Sequence, residues 1–451
     1  MKEDKKVLDM RGLILGLMII LASTSLYGDD KKKKTDADLY EQLDLLMNIF
    51  QKVREEYVDE VDDTEVIEAA IQGMLTSLDP HSTYMNPEFF ERSRVQVEGS
   101  YGGLGMEVMS DRGVVKVVSP IDDTPAERAG IKGGDYITHI DGVGVLGGSV
   151  DDAIAKMRGP AGDPVDLTVV REGEDDPLEI TIVRAIIKIK SVRSKVESDT
   201  IGYIRVTTFN MNSGEGVERA IKDLHKELGD SMEGIILDLR NNPGGLLQEA
   251  IRISDAFLMN GEIVSTRGRK AYNNSRSYAK EGDLTDGLPM VVLVNGYSAS
   301  ASEIVAGALQ DHRRAIILGD QTFGKGTVQS EMRLGRTGER AIRLTTAKYF
   351  TPSGRSIQGR GIEPDILVKF GRADGKKINR RREADLSHSI ENNQDAINKS
   401  DEMDSEDVDD TILVKQDEVL ADIQLEKAVA LLKGLGRLPE PQVAQLTDST
   451  P

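Results

Sequence analysis

Three serines crowd into the hexapeptide SASASE (Ser298 to Glu303), and a lysine stands in the turn-rich run GDQTFGKGTVQ (Gly319 to Gln329). A serine at the N-terminus of a helix gains stabilisation of developing negative charge, and the amide beside it can donate into an oxyanion hole. Serines also cap helices and pack as small residues, so at least one of the three is expected to be structural. The chain has five histidines, at 81, 139, 225, 312 and 388, and a histidine-activated serine must draw on these. His139 falls inside a short strand, His225 on a polar helix face and His388 in a charged run, which leaves His81 and His312. No G-x-S-x-G elbow is present, because 296–300 reads Gly-Tyr-Ser-Ala-Ser. A lysine base is the other route, and it works only if burial keeps the amine neutral near neutral pH. Lys325, flanked by glycines and beside Phe323 and Val328, suits that role. Gln329 is a fitting partner: its amide accepts from the ammonium without adding a charge that would hold the proton on.

Gly319, Gly324 and Lys325 also match most of the phosphate-binding pattern G-x-x-x-x-G-K-[ST]. Gly326 stands where a metal-binding hydroxyl is needed, and Thr327 to Ser330 reads as strand rather than as the helix a phosphate loop must open. Lys325 therefore calls for chemistry other than nucleotide binding.

These residues need a scaffold. A chain of 451 residues, 39% apolar, with 44 glycines and no tryptophan, fits two or three aliphatic, turn-rich α/β or β-containing units. The absence of cysteine excludes disulfides, thiolate metal sites and a thiol nucleophile. A net charge of -20 argues against a nucleic-acid partner. Residues 186–370 alternate strands and helices. The runs IGYIRVTTF, GIILDLR, MVVLVNG and AIILGD are strands, and the continuous apolar ones imply a buried, largely parallel sheet whose sites gather at strand C-terminal ends. RNNPGG (240–245) and NGYSASAS (295–302) both leave such ends. Residues 36–98 read as helical, with a helix TEVIEAAIQGMLTSLD capped by Thr64. The run 371–411 concentrates basic and then acidic residues and reads as a solvated linker, and 412–436 returns to helical periodicity as a docked C-terminal helix. At the N-terminus, Lys2, Lys5, Lys6 and Arg11 precede an uncharged stretch, Gly12 to Gly28, too short for an ordinary spanning helix. It reads as an export signal; a cleaved signal peptide and a short membrane anchor both fit residues 1–28.

Residues 99–185 change to short strands with glycine turns. Tyr101-Gly-Gly-Leu-Gly105, SPIDDTPAERAGIKGGDYITHIDG and the helix at Val150–Met157 resemble a PDZ domain, in which a glycine-rich loop takes a peptide's terminal carboxylate and a strand edge accepts the peptide. Gly102, Gly103, Leu104 and Gly105 are the peptide-binding candidates. With DLRNNPGG, NGYSASASEIVAGALQD, GDQTFGKGTVQ and YFTPSGRSIQGRGIEPDI following in order, the chain resembles the carboxyl-terminal processing proteases, tail-specific serine peptidases of family S41.

That resemblance implies a multidomain α/β protein: helical N- and C-terminal segments, a mostly β PDZ domain, and an α/β crotonase-like (ClpP-like) protease core. It also implies a Ser-Lys dyad, with Ser300 as nucleophile, Lys325 as general base and Gln329 positioning it. The Ala301 amide, with that of Gly244 or Gly245, forms the implied oxyanion hole. No cofactor or metal is implied. The expected partners are protein substrates with free apolar C-termini, an activating or adaptor protein and a second copy of the chain, in the periplasm or cell envelope. An exported non-catalytic PDZ scaffold and a His-dependent PDZ protease are the alternatives.

Overall fold

The computed structural model describes residues 36–111, 113–369, 381–392 and 422–435. The export segment and most of the charged run lie outside the described residues. The boundary between two compact units falls between Ala70 and Ile71.

In the first unit, helix Asp36–Glu56 leaves Leu39, Leu43 and Leu46 exposed. Helix Asp63–Thr76 starts two residues earlier than Thr64 as a cap would place it. The Asp62 carboxylate takes the amides of Thr64 (2.7 Å) and Glu65 (3.0 Å), the job of a capping side chain.

The second unit carries the chemistry. Its central sheet orders the strands Val192–Glu197, Ile201–Val206, Gly234–Asp238, Met290–Val294, Ile316–Gly319 and Ile366–Leu367; the first pair is antiparallel and the rest parallel. Every residue of Gly234–Asp238 and Met290–Val294 is buried, as continuous apolar runs require when helices cover both faces. One face packs against helices Ser213–Leu228, Leu247–Asp255 and Ala301–Asp311, and the other against Ile423–Leu435, which buries Ala428 and Leu432. Burial of each such Leu, Ile or Val contributes about 1.5–3 kcal/mol.

A second, antiparallel sheet joins Thr327–Leu334 and Thr83–Met85 to Arg340–Phe350, which also pairs with Glu262–Gly268. Residues 71–98 are thus no separate helical layer. Thr83–Met85 is a strand of this sheet, and helix Pro87–Glu98, capped by Asn86, buries Phe90 with Met85 and Ala341. A short apolar strand between two helices leaves almost no periodic signal of its own.

The PDZ module is a six-stranded antiparallel sheet: five strands run in order from Met106–Asp111 to Leu178–Val183, the short strand Val143–Gly144 pairs with Tyr136–Ile140, and the module has its own core around Val117, Ile137 and Leu167. It joins the rest through a two-stranded ribbon in which Ser100–Gly103 pairs with Ala185–Lys188.

Candidate active site

Ser300 follows strand Met290–Val294 and caps helix Ala301–Asp311. Its backbone sits at φ 55°, ψ −112°, a region that costs a non-glycine residue about 1–3 kcal/mol and clusters at functional sites. The chain therefore makes a strained strand-to-helix turn without the glycine spacing that usually marks one. The two flanking serines are structural. Ser298 Oγ accepts from the Asn295 amide (3.0 Å) and donates to the Leu239 carbonyl (2.8 Å), while Ser302 Oγ donates to the Asn242 carbonyl (2.9 Å). Only the middle hydroxyl faces a group fit for chemistry, the Tyr349 phenol. Burial pushes that phenol up to about 12, and its hydrogen bond with Ser300 opposes the rise.

Those flanking bonds clamp loop 240–245 against the Ser300 turn, as does the Ala299 amide on the Asn242 carbonyl (3.0 Å). Gly244 sits so close that an added Cβ would lie 2.9 Å from Ser300 Cβ and 3.0 Å from the Ala301 nitrogen, and its φ of 103° favours glycine as well. The Gly244 amide donates to Asn242 Oδ1 (2.9 Å). Of the two loop amides expected at an oxyanion hole, that leaves Gly245. Among the described residues neither the Gly245 nor the Ala301 amide donates to another group. The loop is anchored from behind: Arg240, buried, forks onto Asp238 (2.6 Å) and reaches Asp422 ahead of the terminal helix (2.7 Å).

Lys325 is tied to Ser300 through one carboxylate. Glu303 is fully buried one turn into the helix; its Oε2 accepts from the amides of Ser300 (2.7 Å) and Lys325 (2.9 Å), and its Oε1 from Thr322 Oγ1 (2.6 Å) and the Gly324 amide (2.6 Å). Burial raises this carboxyl to about 7 even against four donors. Burial likewise lowers the Lys325 ammonium; the charges of Glu383, Glu303 and Asp79 oppose the fall and Arg343 adds to it. Among the described residues no hydrogen bond or ion pair reaches that ammonium. The desolvated Lys325 amine thus rises from a turn that Glu303 ties to the strained serine, and the Ala301 and Gly245 amides have no other acceptor among the described residues; these are the kinds of group that acyl transfer uses.

Gln329 is not brought to Lys325. A bulge between Val328 and Gln329 turns its carboxamide to Thr327 Oγ1 (3.0 Å) and Thr345 Oγ1 (3.2 Å), and Thr345 in turn donates to Asp79 (3.0 Å). Among the described residues no histidine is hydrogen-bonded to Ser300. His312 sits at the far end of the eleven-residue helix, about 17 Å along its axis, and bonds the Glu262 carbonyl (2.7 Å). His81 pairs with Glu383 (2.8 Å).

Glu383 comes from residues 381–392, expected to be solvated but packed on the core. Glu303 and Tyr349 lay inside motifs singled out from the sequence without a role assigned to either. A lone acid in the otherwise apolar run ASEIVAGAL was the signal for Glu303; within a charged stretch, Glu383 had none.

In the PDZ module, Leu104 is buried in the core, the Gly105 carbonyl accepts from Thr124 Oγ1 (2.8 Å), and Gly102 and Gly103 lie in the ribbon. Strand Met106–Asp111 is an edge, paired on one side only, and helix Val150–Met157 packs near it. An open strand edge beside a helix is the geometry of strand addition.

Comparison with known proteins agrees along the chain. Residues 200–368 match the model of peptidase family S41, residues 116–171 a PDZ domain and residues 20–89 the activating protease CtpB N-terminal domain. A carboxy-terminal-processing protease of Bartonella bacilliformis is 51% identical over 366 residues, covering 81% of this chain and 82% of that one. The carboxy-terminal processing protease CtpB of Bacillus subtilis is 34% identical, with 74% and 70% covered. Among solved structures, a photosystem II D1 C-terminal processing protease is 28% identical, with 73% and 93% covered and a TM-score of 0.41.

Proposed function

The chain belongs to the carboxy-terminal processing serine proteases of peptidase family S41, and from that premise we propose that it cleaves proteins near their C-termini by a Ser300–Lys325 dyad. The observation that carries the reading is Glu303 Oε2, one oxygen that holds the amides of both residues. Lys325 takes the Ser300 proton as Oγ attacks the substrate carbonyl, and then passes it to the leaving amine. Water completes hydrolysis of the acyl-enzyme. The Ala301 and Gly245 amides stabilise the oxyanion. Tyr349, kept protonated, orients the Ser300 hydroxyl. The edge strand Met106–Asp111 takes the substrate's last residues, the loop Gly102 to Gly105 receives its carboxylate, and apolar tails are preferred. Gln329 acts through Thr345 and Asp79 on the wall beside Lys325 rather than by direct contact. The protein works outside the cytoplasm, delivered by residues 1–28, and pairs with a second copy and an activating partner.

The test is cleavage of a folded reporter with an apolar C-terminal tag by the full chain, Ser300→Ala and Lys325→Ala. Loss of cleavage in both variants with melting unchanged is expected. Activity surviving in Lys325→Ala refutes the dyad. If the wild type needs its activator, labelling of Ser300 by a fluorophosphonate answers the same question.

A further inference from the structure

Lys325 is gripped from two sides, and the mechanism uses only one. Glu303 holds the inner side of the turn. On the outer side, the segment 381–392 crosses over it: the Glu383 amide donates to the Phe323 carbonyl (3.1 Å), and Gln358 bridges, with Nε2 on Glu383 Oε1 (2.9 Å) and Oε1 taking the Gly326 amide (2.9 Å). Lys348 Nζ on the Glu391 carbonyl (2.7 Å) and Asn392 on the Gln358 carbonyl (3.0 Å) pin the rest of the segment.

A tether needs no buried charge, and an exposed residue would hold the turn as well. Glu383 is instead fully buried, paired with His81 Nε2 (2.8 Å). We propose that Glu383, delivered over the turn by this strap, is a positioning residue for Lys325 that governs the pH at which the base gives up its proton. The proposal rests on the dyad reading above.

The groups that face Lys325 are Glu383 from the strap, paired there with His81, Glu303 from the helix, Asp79 from the loop before strand Thr83–Met85, and Arg343 from strand Arg340–Phe350. Both oxygens of Glu303 are spent on donors of the catalytic turns, and those of Asp79 on Ser82, His81 and Thr345. Glu383 has one partner on each oxygen, and its charge acts to hold the proton on Lys325. Burial would push its own carboxyl up, but the bonds from His81 and Gln358 and the Lys325 charge keep it low, so it stays ionised where the base titrates. Burial alone lowers the amine's hold on a proton. The anion beside it restores basicity without touching it.

The test is the pH dependence of fluorophosphonate labelling at Ser300 in the full chain, wild type against Glu383→Gln. Glutamine keeps the shape and can still accept from Gln358 and donate to His81. Without the negative charge the ammonium loses its proton more readily, so the acid limb moves to lower pH. A displacement of about one unit raises labelling about fivefold one unit below the wild-type midpoint. The midpoint is independent of how much protein is folded, and a merely structural role would lower labelling at every pH without moving it. Glu383→Asp draws the charge back by one methylene and must fall between the two; if Glu383→Gln yields no folded protein, that smaller downward shift decides. A midpoint that stays or rises overturns the proposal. Lys325→Ala separates the two readings. Labelling that survives in it sinks the dyad, whereas its loss beside an unmoved Glu383→Gln midpoint sinks only the role of Glu383.

Discussion

Replacing Glu303 by glutamine tests whether the nucleophile and base form one unit. The carboxylate offers two acceptor oxygens to four donors: Thr322 Oγ1 and the Gly324 amide on one, the Ser300 and Lys325 amides on the other. A carboxamide has one oxygen, so whichever way it turns, two buried donors face an NH2 group. Each buried donor left unmade costs about 1–3 kcal/mol, and the pair about 2–6 kcal/mol. Whichever side loses its acceptor, a catalytic turn loosens: on one side both dyad amides, on the other the hydroxyl and amide that shape the Lys325 turn. The strained Ser300 conformation, held by the surrounding contacts, then relaxes. Urea unfolding of wild type and Glu303→Gln at pH 8, read beside the rate of fluorophosphonate labelling, measures both effects. The expected outcome is a lowered unfolding midpoint together with labelling reduced tenfold or more. A variant within about 0.5 kcal/mol of wild type that labels at the same rate would refute the shared-acceptor argument.

Ser298→Ala removes bonds to Leu239 and Asn295 and should cost about 1–2 kcal/mol in melting experiments while Ser300 still labels; loss of labelling with stability intact would mean the nucleophile is misassigned. Gly244→Ala drives a methyl to 2.8 Å from the Ala299 carbonyl at a φ of 103°, and labelling should fall at least tenfold; wild-type labelling would show that loop 240–245 does not line the site. Stability should also depend on pH through Glu303. Its folded-state carboxyl is raised from 4.5 to about 7, so the folded protein binds more protons than the unfolded one across that window. This contribution is complete below pH 4.5 and is lost as pH rises to 7. Glu303→Gln must lack that slope, and melting series at several pH values that run parallel would contradict it.

What could be read from the sequence follows from how local each signal is. Short, β-branched apolar runs bounded by turn residues and alternating with helices gave away the buried parallel strands, because a sheet covered on both faces buries every residue of such a run. Ser298, Ser300 and Ser302 marked the junction, but which of them reacts depends on the carbonyls of Leu239 and Asn242, about 60 residues away in sequence. Lys325 stood out in the sequence by its flanking glycines. Gln329 was read as its partner from its uncharged amide and from the resemblance, and a bulge beside it goes with a carboxamide that donates to Thr327 and Thr345 instead. Thr83–Met85 and residues 381–392 escaped because each is short and finds its partners only across the fold.

The clasp between Arg240 and Asp422 spans 182 positions of the chain, and Glu383 too lies beyond the core it completes. A ribosome delivers Ser300 and Lys325 well before either. Until the final stretch has emerged, the loop facing the serine lacks its rear support and the lysine its anionic companion. A chain cut short of residue 422 therefore carries Ser300 and Lys325 without the clasp that braces loop 240–245.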